Sequence, residues 1–171
     1  TDSNTGYIAG HEYGDTSGII LRTVDAGITW SPTHVSHLLN SVNFPKPGTG
    51  YAAGYDKNGK GIILKTTDAG VSWNVSLSGA EQAFFSIYFP TENVGYAAGY
   101  LGFIMKTTNG GTTWTALSDG TMYNINSIFF LNAEMGYLVD ERGEILKTNN
   151  GGLTWVNDSS GTWNGLASIF F

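Results

Sequence analysis

The side chains able to act on a ligand are few in this 171-residue sequence. Among the 14 acids, Glu12, Asp15, Asp56, Glu81, Asp140 and Glu141 are the ones that could supply a catalytic pair. A glycosidase would need two of them facing one another across a cleft, and nothing in the linear spacing singles out a pair. The only histidines are His11, His34 and His37, and His34-x-x-His37 meeting His11 would form a three-nitrogen zinc site. Asp15 and Asp56 beside carbonyls of glycine-rich loops are the calcium counterparts. Neither set has the spacing of a metal motif, so no metal and no cofactor is assigned. Tyr13, Tyr55, Tyr100, Tyr123 and Trp163 offer flat apolar rings with a polar edge, the surface on which a sugar stacks. Zero cysteines exclude thiol catalysis, a disulfide scaffold and Cys-ligated zinc.

Bulk properties narrow the partners. Eight Lys and Arg against 14 Asp and Glu give a formal charge of −6 with no basic cluster, so the footprint for a phosphate backbone is missing and nucleic acid is not expected. Apolar runs such as Phe84 to Phe89 are strand-length and fall far short of the roughly 18 residues of a membrane span. No membrane insertion is expected. The chain opens at Thr1 without an initiator Met, a basic stretch or an apolar run, which reads as a processed or cut end.

The elements that must position these residues repeat. Thr23–Trp30 (TVDAGITW), Thr66–Trp73 (TTDAGVSW), Thr107–Trp114 (TTNGGTTW) and Thr148–Trp155 (TNNGGLTW) align, with closing tryptophans 43, 41 and 41 residues apart. Each follows an apolar run ending in a base: IILR, IILK, FIMK and EILK. A Gly-Tyr step precedes each run, at Gly6, Gly50, Gly95 and Gly136. A further piece recurs as NSVNF (Asn40–Phe44), FSIYF (Phe85–Phe89), NSIFF (Asn126–Phe130) and ASIFF (Ala167–Phe171). The pieces are short, β-branched and aromatic, and Gly, Asn, Asp, Ser and Pro separate them, which is a strand pattern. Four strands in about 42 residues is the signature of a propeller blade. The expected fold is therefore all-β: a β-propeller of four blades of four antiparallel strands, one domain over residues 1–171.

Within a repeat the order is strand A (SIFF-like), strand B (Gly-Tyr), strand C (ILKT-like), the box, then strand D. The chain thus begins before a strand B and stops after a strand A. SIFF-TDSNTGY across the two ends matches SIYF-PTENVGY inside the chain, which predicts that Ala167–Phe171 completes the first blade. The strand would come from the same chain, closing a four-bladed ring, or from another copy, giving self-association through the C-terminal strand. A third possibility is a piece of a longer propeller. Loops joining B to C and D to A share one face, and they carry His11, Glu12, Tyr13, Tyr55, Asp56, Tyr100, Tyr123, Asp140, Glu141 and Trp163. These are the candidate binding residues.

The boxes resemble the Asp-box (Ser/Thr-x-Asp-x-Gly-x-Thr-Trp) of neuraminidase-repeat (BNR) and sortilin-type propellers. Their longer context, GYAAG…ILKTTDAGVSW, is similar to repeats of the photosystem II assembly factor family and its secreted bacterial relatives. Asn109 and Asn150 replace the family's Asp in the last two boxes. The box explains itself structurally: Asp25, Asp68, Asn109 and Asn150 accept N–H groups of their own turn. Gly27, Gly70, Gly111 and Gly152 take a positive φ, and Trp30, Trp73, Trp114 and Trp155 pack the hairpin on the blade, each indole N–H needing an acceptor. The neuraminidase resemblance implies an arginine triad, yet only Arg22 and Arg142 exist, and Arg22 holds the strand-C position of Lys65, Lys106 and Lys147. Sialidase chemistry is excluded on that count. The assembly-factor resemblance implies a basic patch, which the negative charge balance lacks. The expected function is non-catalytic, a secreted or cell-surface bacterial module for protein–protein contact or self-assembly. Glycan binding is the second reading and a glycoside hydrolase the third.

Overall fold

In the computed structural model, which describes residues 2–11, 17–117 and 121–171, the strand-like pieces form antiparallel strands and the Gly, Asn and Asp clusters form the turns between them. The chain divides into two compact units, Thr1–Ala83 and Phe84–Phe171.

In the first unit, β1 (Gly6–His11), β2 (Gly18–Thr23) and β3 (Ser31–Val35) make a three-stranded sheet in that order. β4 (Leu38–Lys46), β5 (Thr49–Tyr55), β6 (Gly61–Thr66) and β7 (Asn74–Ala80) make a four-stranded one. The two sheets meet chiefly through β1 and β4. Ile20, Leu39, Ala52, Ile62 and Leu64 form the core there, with Trp73 packed against it.

The second unit holds β8 (Phe84–Tyr88), β9 (Gly95–Gly99), β10 (Ile104–Thr107) and β11 (Thr115–Ala116) in one sheet. Its other sheet is β12 (Ile125–Phe130), β13 (Gly136–Asp140), β14 (Ile145–Thr148) and β15 (Val156–Asp158). β12 packs on β8 and β9 around Tyr96, Ala98, Ile104, Ile125, Ile128, Phe130, Leu138 and Leu146. Burial falls along each four-stranded sheet: β9 is buried throughout, whereas β11 and β15 are exposed. Strands B and C can afford short unbroken apolar runs because both of their faces are covered.

The cross-strand register explains the strand-C base. Tyr51 faces Lys65, Tyr96 faces Lys106 and Tyr137 faces Lys147, each ammonium 5.3 to 5.5 Å from the ring centroid. Arg22 faces Tyr7 in the same register, so it belongs to the scaffold.

One expectation is corrected. β1 pairs with β2 alone, and Ala167–Phe171 form no strand, so the C-terminal segment does not complete the first sheet. Within its own unit it is taken up by the last sheet instead. Leu166 N donates to Asp140 O at 3.0 Å, Asn126 Nδ2 to Leu166 O at 2.9 Å, and Ile169 N to Ser127 Oγ at 3.3 Å. Phe170 and Phe171 lean on Phe129, and Phe171 also on Tyr137.

Candidate functional site

The four boxes fold as the same turn. In the second, Thr66 Oγ1 donates to Asp68 Oδ1 at 2.7 Å and accepts the Gly70 N–H at 2.9 Å. Asp68 then accepts Ser72 N at 2.9 Å and Ser72 Oγ at 2.6 Å. The first box repeats this with Thr23, Asp25, Gly27 and Thr29. Where Asn replaces Asp, the donor reverses: Asn109 Nδ2 donates to Thr113 Oγ1, and Asn150 Nδ2 to Thr154 Oγ1, both at 2.8 Å. The serine or threonine hydroxyl accepts from an amide as readily as it donates to a carboxylate, so either residue closes the turn. Gly27, Gly70, Gly111 and Gly152 have φ of 87°, 80°, 77° and 84°. The residue before each is also left-handed, and in the first two boxes it is an alanine, Ala26 and Ala69, at φ 59°.

The carboxylates of the first two boxes are held well below the ordinary range, at about 2. The hydroxyl of Thr29 or Ser72 contributes most, followed by the backbone N–H of the same residue. The side chains expected to pack do so unevenly. Trp73, Trp114 and Trp155 are half-buried, and Trp30 is exposed. The indole N–H groups of Trp73 and Trp155 are buried without a protein acceptor, contrary to the expectation that each would find one.

Two of the candidate acids hold hairpins. Asp56 Oδ1 accepts Asn58 N at 2.8 Å and Lys60 N at 2.9 Å, and Asp140 Oδ1 accepts Arg142 N and Glu144 N at 2.9 Å each. The same Asx turn thus closes the B–C connection of two repeats. The Lys60 N–H is the main influence lowering the Asp56 pKa. Asp140 is fully buried, and Thr121 Oγ1 donates to its other oxygen at 3.1 Å. Glu144 lies beside it; burial raises its pKa first, and the Asp140 charge and a hydrogen bond with Asp140 raise it further.

The second unit gathers the remaining candidates into one platform. Tyr100–Gly102 form a 3-10 turn, with Leu101 left-handed at φ 52°, and Leu101 N donates to Asn124 Oδ1 at 3.0 Å. Asn124 Nδ2 donates to Glu141 Oε2 at 2.9 Å, and Glu141 N to Asn124 O at 3.1 Å. Arg142 stacks over the Tyr123 ring at 5.1 Å. Beyond it opens a groove of about 270 Å³ between Arg142, Glu144, Asn157, Ser160 and Trp163. Ser160 Oγ donates to Gly143 O, which fixes the segment leading to Trp163. Trp163 itself is 91% exposed, and Tyr100, Leu101 and Met122 also present their side chains to solvent.

In the first unit, Tyr55 ends β5, partly buried, and His11 ends β1 with Nδ1 3.3 Å from Leu39 O. His34 lies on β3, and His37 neighbours Ser36 Oγ at 3.4 Å. Among the described residues no three His, Asp or Glu side chains converge to hold a metal ion. Glu12, Tyr13 and Asp15 lie outside the described residues. Sequence reasoning missed Asn124, Leu101, Met122 and Glu144. Asn124 could have been found from its place between Tyr123 and β12, at a D–A loop, but its amide carries no motif.

No family model and no curated protein matches the chain. Solved structures do. YCF48 bound to a D1 peptide superposes with a TM-score of 0.71 at 20% identity, covering 97% of this chain and 54% of that one. The GH74 enzyme of Niastella koreensis gives 0.69 at 18%, covering 91% of this chain and 28% of the enzyme. The computationally designed Ika8 protein gives 0.63 at 10%, covering 94% and 51%. The chain therefore spans about half of the first of these or less of the others. At such identities the likeness is one of fold, and it places the all-β sheets among propeller-like proteins.

Proposed function

We propose that the chain is a non-catalytic propeller module, four blades in its repeat plan, that makes protein–protein contacts or assembles with itself. The observation that carries this reading is the platform of the second unit. Tyr100, Leu101, Met122 and Trp163 are exposed apolar anchors, held on a frame in which Leu101 N, Asn124 and Glu141 are hydrogen-bonded in series. Exposed aromatic and apolar side chains on a rigid polar frame are what protein partners bury. A neighbour of the same fold holding a D1 peptide fits the reading.

The candidate acids support it too. Asp56 and Asp140 are engaged in turning hairpins, each accepting two backbone N–H groups on one carboxylate oxygen, which leaves them structural work in place of acid–base chemistry. A secreted or cell-surface bacterial setting rests on the resemblance of the repeats alone. The second reading, a glycan-binding module, is favoured by Trp163 standing at the mouth of the Arg142–Ser160 groove.

Panning a random peptide display library on the immobilised chain tests the first reading and a glycan array the second. Enriched peptides should lose binding to Trp163→Ala and Tyr100→Ala, whose substituted side chains are exposed and leave the fold intact. Sugar binding without peptide enrichment would transfer the platform to the second reading, and peptides indifferent to both substitutions would overturn the site.

A further inference from the structure

Four asparagines are followed directly by glycine: Asn58, Asn109, Asn150 and Asn164. At an Asn-Gly step the backbone can attack the side chain before it, because glycine has no Cβ to keep its amide nitrogen away from the carboxamide. That attack needs a nitrogen released from hydrogen bonding and a carboxamide able to swing onto it. The fold treats the four steps differently.

In the two boxes both groups are held. Gly110 N donates to Asn93 O at 2.9 Å and Gly151 N to Glu134 O at 2.8 Å. Asn109 Oδ1 accepts Thr113 N at 2.9 Å while its Nδ2 donates to Thr113 Oγ1 at 2.8 Å, and Asn150 is fixed on Thr154 in the same way at 3.0 and 2.8 Å. In the β5–β6 hairpin, Gly59 N donates to Asp56 O at 2.9 Å, and Asn58 N to Asp56 Oδ1 at 2.8 Å.

Asn164 stands apart. Its backbone N donates to Thr162 Oγ1 at 3.1 Å, but its exposed side chain and the Gly165 N–H hydrogen-bond to nothing among the described residues. The chain is anchored on both sides, by Ser160 Oγ on Gly143 O before the step and by Leu166 N on Asp140 O, at 3.0 Å, after it. The unheld pair therefore lies between two fixed points, next to Trp163 and so close to Glu141 that a Cβ on Gly165 would meet Glu141 O at 2.7 Å.

We propose that Asn164-Gly165 is a site of spontaneous covalent modification, deamidation through a cyclic imide, and that the fold suppresses the same reaction at the other three steps. Gly165 N, losing its proton to hydroxide, bonds to Asn164 Cγ; the Cγ–Nδ2 bond breaks and ammonia leaves. Water then opens the imide, at Cγ to give aspartate or at the backbone carbonyl carbon to give isoaspartate, and nothing is oxidised or reduced. Either product adds a negative charge beside Trp163 and Glu141. Isoaspartate also lengthens the main chain by one carbon. The Asn164 carbonyl packs tightly on Gly143, 2.7 Å from where a Cβ there would stand, so the longer chain displaces the groove wall that carries Trp163. This chemistry goes beyond the protein-contact reading and does not depend on it.

Ageing the folded 171-residue chain at mildly alkaline pH, with peptide mapping by tandem mass spectrometry, reads each site separately. A hydrogen bond that must open before ring closure slows it about fivefold, the factor of one net intramolecular bond. Asn58 should therefore deamidate about fivefold more slowly than Asn164, and Asn109 and Asn150, with several bonds to open, more than about tenfold more slowly. In concentrated urea the four rates should converge. Isoaspartate is read independently as methyl transfer from S-adenosylmethionine by protein isoaspartate O-methyltransferase. Asn164→Gln, which has no side-chain hydrogen bond to lose, should remove most of that signal with unchanged circular dichroism. Any of the other three asparagines reacting as fast as Asn164 in the folded chain, a ranking that persists in urea, or methyl transfer undiminished in Asn164→Gln would overturn the proposal.

Discussion

Ser72 Oγ donates to Asp68 Oδ2 at 2.6 Å, and its counterpart Thr113 Oγ1 accepts from Asn109 Nδ2 at 2.8 Å, so one turn is built with opposite hydrogen-bond polarity in the two units. The consequence is an acid response confined to one of them. The Asp25 and Asp68 pKa values are depressed to about 2, so these groups stabilise the fold fully above the ordinary carboxylate value near 4, and that contribution is lost as pH falls through about 2. Asn109 and Asn150 have nothing to titrate. Hydrogen exchange at the box amides, followed from pH 5 to pH 2, should show protection falling at Thr29 and Ser72 and holding at Thr113 and Thr154. The double variant Asp25→Asn, Asp68→Asn should abolish the difference.

Ala26 and Ala69 sit at φ 59°, where a Cβ crowds the following backbone, and the last two boxes have Gly110 and Gly151 there. Ala69→Gly should therefore stabilise the chain by about 1 kcal/mol, since relief of the left-handed strain outweighs the added freedom of the unfolded glycine. Equilibrium urea unfolding followed by tryptophan fluorescence measures it. A destabilised Ala69→Gly would mean that the strain is already relaxed.

The fold was legible because the period carries it. Four boxes, four Gly-Tyr steps and the SIFF-like pieces predicted the strands, and the observed ranges, such as β12 at Ile125–Phe130, contain or overlap the expected ones. The C-terminal segment was misplaced because the repeated SIFF marks Ala167–Phe171 as like a strand A without showing whether or with what it pairs. The site was less legible. Asp56 and Asp140 looked like ligand groups in the sequence, and only the hydrogen bonds to Lys60 N and Glu144 N reveal them as turn residues. Asn124 bridges Leu101 and Glu141 through contacts 23 and 17 residues distant, which no local pattern encodes.

Gly50, Gly95 and Gly136, which open three of the strands B, lie under the rings of Phe44, Phe89 and Phe130 and should tolerate no side chain. A Cβ on Gly136 would lie 2.5 Å from Phe130 Cδ1, and Tyr96 stacks on the far face of that ring at 3.7 Å, leaving it nowhere to retreat. Gly136→Ala should cost about 3 kcal/mol, the upper range for overpacking, and Gly95→Ala a similar amount. Thermal unfolding should rank both far below Gly6→Ala. Equal melting temperatures for the three variants would contradict the close packing of the rings on Gly95 and Gly136.

The buried Trp73 Nε1 has no protein acceptor, so the indole contributes apolar area and carries a desolvation cost at once. Trp73→Ala should lose about 3 kcal/mol by removing a packed aromatic. Trp73→Phe keeps the edge-on contact with Phe44 and removes the unpaired donor, so its loss should be well under half of that. Chemical denaturation of the two variants decides the matter, and similar losses would show that the indole nitrogen is in fact satisfied.

Glu144 shows the opposite sign to the boxes. Its pKa is raised by burial and by the neighbouring Asp140, so its protonated form favours the folded state below the unfolded carboxylate value, and that benefit is lost as pH rises through the higher folded value. At neutral pH the two carboxylates repel across the hairpin that Asp140 closes. Glu144→Gln should therefore raise the melting temperature at pH 7, and its advantage should shrink as the pH approaches 4. Asp140→Ala should act in the other direction, because it strips the acceptor from Arg142 N, Glu144 N and Thr121 Oγ1 at a fully buried site, a loss of about 2–3 kcal/mol. Melting curves of the two variants between pH 4 and pH 8 test the pair. A Glu144→Gln chain no more stable than wild type at pH 7 would show that the hairpin feels no repulsion between them.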